Sequence, residues 1–131
     1  MPATASKTSK YIKISVASHP IPNRSHPGAH KYAFSYTIKV KNTGAGAVQL
    51  LEQHWLLKQG GRPVAEIVGP FNADGLSPVL EKGQAIEMES GAVIDEPIGT
   101  LQGSLTFRRD DGKFIQAAVP IVDLHFPVVV H

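Results

Sequence analysis

Between Lys31 and Asn42 the chain reads KYAFSYTIKVKN, and Tyr32, Phe34, Tyr36, Ile38 and Val40 alternate without a break against Ala33, Ser35, Thr37, Lys39 and Lys41. Side chains that swap faces at every residue build a strand, whereas an amphipathic helix repeats its apolar positions at three and four. The apolar set is aromatic or β-branched, types that pack well on a pleated surface wetted on one side only. A strand of this kind must bury its dry face under a second layer. The rest of the chain has to supply that layer.

The remaining runs fit the requirement. Tyr11–Ser18 alternates Ile12, Ile14 and Val16 against Lys13 and Ser15 and predicts a strand. His19–His30 is broken by Pro20, Pro22, Pro27 and Gly28 and predicts a loop. Asn42–Gly46 is a turn, and Val48–Leu57 is a strand whose Leu50-Leu51 and Leu56-Leu57 pairs break the period, predicting a bulge or burial on both faces. Val64–Val68, Gln84–Ser90, Thr100–Arg109 and Phe114–Val122 are further strands. Between them lie the Gly69–Pro78 loop, the Asp95–Gly99 turn and an Asp-Gly hairpin signal at Asp110-Asp111-Gly112. Pro120 has no amide for a ladder and marks an edge or a bulge. In the tail from His125 to His131, Phe126 and Val128–Val130 are free to pack on the sheet. About seven or more short strands with turns between them and no helical stretch predict an all-β, antiparallel, two-sheet sandwich with Trp55 in its core, a small barrel being the alternative.

Composition narrows the classes of function. A chain of 131 residues makes one domain, taken here as residues 11–131, behind a small, polar, basic segment at 1–10 expected to be a disordered arm. No apolar run approaches the ~18 residues of a membrane span, and the first ten residues hold no apolar signal core, so no membrane partner is expected and the expected location is the cytoplasm. Cysteine is absent, which excludes disulfides and thiolate metal sites. Two of the thirteen Lys and Arg, Lys7 and Lys10, sit in the arm, so eleven face eleven acids from Tyr11 onward. A near-neutral domain lacks the clustered basic surface that nucleic acid requires.

Few residues suggest chemistry. His19, His26 and His30 could be read as metal ligands, but they share a proline-broken loop with no nearby carboxylate, and solvated histidines are the expectation. His54 should face away from a core Trp55 and be exposed or paired across strands. No GxSxG elbow exists. The Asp95-Glu96 and Asp110-Asp111 pairs fall in turns, and Glu87 and Glu89 on a wet strand face. No catalytic residue, metal ligand or cofactor is therefore assigned. The Gly69–Pro78 loop, GPFNADGLSP, is the one stretch whose glycines could expose backbone N–H groups to a phosphate; otherwise it simply connects two strands.

From Tyr11 to about Pro127 the chain resembles the ApaG family. The likeness is carried by Tyr32–Gly44, where the family has YxFxYTIxIxNxG, by Val48-Gln49-Leu50-Leu51 followed by His54-Trp55, by Ser90-Gly91, and by Pro97-Ile98-Gly99-Thr100 ahead of Gly103. The resemblance implies an immunoglobulin-like, fibronectin-III-like sandwich without established catalytic residues. It also implies a bacterial protein encoded beside a diadenosine tetraphosphate hydrolase and linked to cobalt and magnesium tolerance, and related eukaryotic domains that bind other proteins. Many members carry a GxGxxG loop before Gln-Pro, proposed to hold pyrophosphate. Here the three glycine positions hold Pro70, Asn72 and Gly75, Gly69 is displaced by one, Ser77 replaces the Gln, and Gln53 replaces an arginine before His-Trp. Pro70 removes an N–H and Asn72 adds a side chain, both unfavourable to an anion.

The resulting expectation is a non-enzymatic binding module for a protein partner, with homodimerisation through edge strands as one form of it. The alternative is a site for a phosphorylated small molecule or divalent cation at Gly69, Asn72, Gly75 and Ser77.

Overall fold

A computed structural model describes residues 3–9, 11–71 and 77–127. They form nine strands: β1 (Ala3–Ser9), β2 (Ile12–Pro20), β3 (Tyr32–Asn42), β4 (Val48–Gln59), β5 (Arg62–Pro70), β6 (Val79–Leu80), β7 (Ala85–Ile94), β8 (Ile98–Arg109) and β9 (Phe114–His125). One antiparallel sheet runs β1-β2-β3-β7 and the other β5-β4-β8-β9, with β6 pairing on β4. The alternating run is an inner strand of its sheet, between β2 and β7.

The dry faces meet as the alternation requires. Phe34, Tyr36, Ile38 and Val40 of β3 are buried with Leu50 and Trp55 of β4, Leu105 and Phe107 of β8, and Leu124 of β9. Each fully buried side chain of this size contributes roughly 1.5–3 kcal/mol of transfer free energy. Tyr36 and Trp55 lie with ring centroids 5.9 Å apart, joining the two sheets. Phe126 leaves β9 to meet Tyr32 at 5.3 Å and Phe34 at 6.3 Å, both edge-on, the favoured aromatic geometry. Val128–Val130 lie outside the described residues.

All three breaks in the strand patterns lie at irregularities of pairing, the one at Leu56-Leu57 where β4 shifts register on β5 between Leu57 and Lys58. The register of β4 on β8 shifts between Leu50 and Glu52, so Leu51 is the extra residue. On β8, Leu101 pairs Val122 while Gly103 pairs Val119, which leaves Pro120 and Ile121 in a bulge. A Cβ on Gly103 would run into the carbonyl oxygen of His54, so β8 and β4 approach there as only glycine permits.

Two expectations are corrected and one short strand is added. Residues 3–9 form β1, an edge strand paired with β2 from Ala3↔Ser18 to Ser9↔Ile12, where composition suggested a disordered arm. A ladder uses backbone groups, so Ser and Thr enter it without an apolar pattern. Val79–Leu80, which the sequence pattern leaves unassigned just after the Gly69–Pro78 loop, forms a two-residue strand. The wet face of β3 is also dry at its start, where Ala33 and Ser35 are buried. The preceding loop closes on it: Ile21 donates to the Ala33 carbonyl at 2.8 Å, and Ser25 Oγ accepts from the Ala33 amide at 2.9 Å and donates to the Ile21 carbonyl at 2.8 Å.

The two flanks of the sandwich differ. On one, β9 packs beside β1 and β2, and Ser18 Oγ donates to the Asp123 carbonyl at 2.8 Å. On the other, β5 is exposed along nearly its whole length.

Candidate functional site

The Gly69–Ser77 segment is held at both ends by β4. Gly69 pairs with Gln53, the Phe71 amide donates to the Leu51 carbonyl at 2.8 Å, and the Phe71 ring is fully buried. At the far end Gln49 Nε2 donates to the Ser77 carbonyl at 3.4 Å and the Leu50 amide to the Pro78 carbonyl at 2.9 Å. β5 and β6 thus occupy successive stretches of one edge of β4, and the loop spans the interval between them. Nothing lies within 4 Å of a Cβ built at Gly69, so packing does not demand glycine there. Arg108 stands beside the far end, donating from Nη2 to Gln49 Oε1 at 3.2 Å. Asn72 and Gly75 lie outside the described residues.

Gln53 has two structural contacts. Its Oε1 accepts from Trp55 Nε1 at 2.9 Å, and its Nε2 donates to the Pro70 carbonyl at 3.3 Å. One amide therefore satisfies the core indole and fastens the start of the loop. A carboxamide offers both an acceptor and donors, whereas a guanidinium offers donors only, so arginine could not repeat the bond to the indole N–H.

His54 is on the opposite face from Trp55, as strand alternation requires, and its Nε2 lies 3.4 Å from Glu66 Oε2 across β4 and β5. Both side chains are well exposed, so the pair is a surface contact of small energy. The His19–His30 segment forms two single 3₁₀ turns, Pro22–Arg24 and Pro27–Ala29, closed by a His26–Lys31 bridge. Among the described residues no group of three or more His, Asp or Glu side chains is arranged to hold a metal ion. The turn acids have local partners: Asp95 lies 3.3 Å from Lys31 Nζ, and Asp111 lies 3.7 Å from Arg109 Nε. Glu87 and Glu89 are exposed on β7. Among the described residues no helix is long and apolar enough to cross a membrane.

The sequence reading did not single out the end of the sandwich where three turns meet. Tyr11, Asn42–Gly46, Val48, Lys82, Arg109 and Ile115 surround a hollow of about 420 Å³. Asn42 is the buried post of this end. Its Nδ2 donates to the Gly46 carbonyl at 2.8 Å and the Leu80 carbonyl at 3.0 Å, and its Oδ1 accepts from the Gly44 amide at 3.0 Å. Its backbone amide donates to the Gln84 carbonyl and its carbonyl accepts from the Gly83 amide. The asparagine that closes the motif strand is thus a structural node, and each of its side-chain polar atoms is satisfied. The available signal was that three glycine-bearing turns end on neighbouring strands.

Comparison with known proteins agrees with this architecture. A family model described as the ApaG domain matches residues 22–109. Protein ApaG of Thiobacillus denitrificans is 37% identical over 120 residues, covering 92% of this chain and 94% of the relative. Protein ApaG of Aromatoleum aromaticum is 35% identical over 127 residues, covering 96% and 99%. A crystal structure from Bordetella pertussis, described as an ApaA protein, superposes with a TM-score of 0.83 at 29% identity, covering 90% of this chain and 95% of that one. The motif strand lies at the centre of its sheet, its asparagine ties the turns together, and identity runs along nearly the full length: the chain belongs to the ApaG family.

Proposed function

We propose that this protein is a non-enzymatic binding module of the cytoplasm that engages another protein by strand addition along β5, and that the family's link to cobalt and magnesium tolerance acts through that partner. The observation that carries the reading is β5 itself. Val64, Ile67 and Val68 are 45%, 55% and 68% exposed on a sheet edge, where most exposed edges carry charge or cover. In an antiparallel ladder alternate residues bond inward and those between point away. The Phe71 amide bonds inward to Leu51, so Gly69 and Ile67 share that phase, and Glu66 and Val68 present their amides and carbonyls outward. Pro63 and Pro70 bracket this stretch, limiting a guest strand to a short, defined register. Extended peptides bind such edges through main-chain bonds, with side-chain contacts giving specificity.

The test compares cross-linking of cell lysate to the intact protein and to two variants. Val68→Pro removes an outward donor, and Lys13→Glu changes a remote exposed face. A partner retained by wild type and Lys13→Glu and lost with Val68→Pro is the expected result. Equal recovery by all three overturns the β5 reading.

A second reading, a phosphorylated small molecule at Gly69–Ser77, draws on the pinned loop ends, the open space beside Gly69 and the nearby Arg108 guanidinium. It expects the paired changes Asn72→Gly and Ser77→Gln to strengthen pyrophosphate binding. Unchanged affinity speaks against it.

A further inference from the structure

We infer that the hollow at the three-turn end of the sandwich is a second ligand site, one that takes a single oxyanion carried on a flat apolar group, such as an aryl phosphate or an aryl carboxylate. It stands apart from the β5 edge, and its test is independent of any protein partner.

A space of about 420 Å³ falls within the usual range of small-molecule sites, which are mostly apolar with a few convergent polar groups. Val48 and Ile115, both core residues, contribute the apolar part of its lining. Ala45 and Gly46 line it from a turn with two glycines, and among the described residues their amides donate to no protein acceptor. The Gly44 amide is already taken by Asn42. Successive unbonded amides of a turn are the groups from which proteins build anion-binding concavities.

Charge points the same way. Lys82 lines the hollow from the β6–β7 connection and Arg109 from the end of β8. The Nε of Arg109 lies 3.7 Å from Asp111 Oδ2, and the guanidinium carries four further N–H donors on its terminal nitrogens. Asp110 lines the neighbouring hollow instead, with its carboxylate against Gly46, where a built Cβ would lie 2.8 Å from Oδ2. The two acids of this hairpin oppose negative charge, and the repulsion grows with each charge a ligand carries, so a single oxyanion is tolerated better than a chain of phosphates.

Tyr11 supplies the flat surface. Its φ of 70° is a left-handed conformation that bulky residues rarely adopt. Thr43 holds it there, donating to the Tyr11 carbonyl from its amide at 2.8 Å and from Oγ1 at 2.7 Å. The side chain remains 67% exposed over the turn, its Cβ 3.1 Å from a Cβ built at Gly44. Unusual backbone geometry kept by specific bonds, with an aromatic ring left in solvent, is the kind of outlier from which function is inferred.

The test is a backbone-amide NMR titration of the full chain with phenyl phosphate, benzoate and inorganic phosphate, each to about 20 mM. Saturable movement of the Ala45 and Gly46 amides with an aryl ligand is expected, and whichever aryl ligand binds more tightly identifies the oxyanion. Arg109→Gln should weaken binding about tenfold through loss of a charge-assisted hydrogen bond. Tyr11→Asn, which tolerates the same backbone, should weaken the aryl ligands and leave inorganic phosphate unchanged. Dispersed spectra of both variants verify the fold. The inference is overturned by unmoved Ala45 and Gly46 amides, by unchanged affinity in Arg109→Gln, by inorganic phosphate binding as tightly as phenyl phosphate, or by movement confined to Gly69 and Ser77.

Discussion

β3 and β5 are both strands with apolar side chains, yet the first is almost wholly buried and the second almost wholly exposed. β3 lies between two neighbours with the opposite sheet over its aromatic face. β5 pairs only with β4 and shares the phase of Trp55 through Ile67, but its side chains receive no comparable cover. An apolar side chain stabilises the fold only where another layer removes it from water. Strand patterning therefore states which way a residue points, and topology decides whether anything meets it there. On the uncovered strand the apolar side chains stay in water.

The largest expected effect tests the covered side. Phe34→Ala should cost roughly 3–5 kcal/mol in denaturant unfolding, because it removes a fully buried ring at the junction with Phe126. A loss below about 1 kcal/mol would mean that β3 is not the centre of the core. Next, Asn42→Ala should cost roughly 2–3 kcal/mol by leaving the Gly46 and Leu80 carbonyls and the Gly44 amide without their partner. Smaller again, Gln53→Leu should cost about 1–2 kcal/mol by orphaning the indole N–H of Trp55, the single tryptophan, whose fluorescence reports the change directly. Smallest, Ile67→Thr in β5 should stay within about 0.5 kcal/mol, as exposed substitutions do. Should Ile67→Thr approach the cost of Phe34→Ala, the contrast between the strands is false.

Much of the fold was legible because local rules and global architecture agree. The alternation of β3, the irregularity at Leu50-Leu51, the bulge at Pro120 and the Asp-Gly hairpin all have local causes that the sequence displays. β1 was not legible, since pairing through backbone groups leaves no mark on a run of Thr, Ser and Ala. The second covered face at Ala33 and Ser35 depends on Ser25 folding back from a loop, which no period records. At the candidate sites the exposed position of His54 was readable from its neighbour Trp55, and its contact with Glu66 came only with register. The end hollow was invisible because its residues come from connections far apart in the chain.

Asn42 has one further consequence. Through its side chain and backbone it bonds to Gly44, Gly46, Leu80, Gly83 and Gln84, so the two turns around it share a single fastening. Turns fastened this way open together rather than in sequence. Under native conditions the amides of Asn42, Gly44 and Gly83 should exchange with solvent deuterium as one cooperative unit, at one common rate of opening.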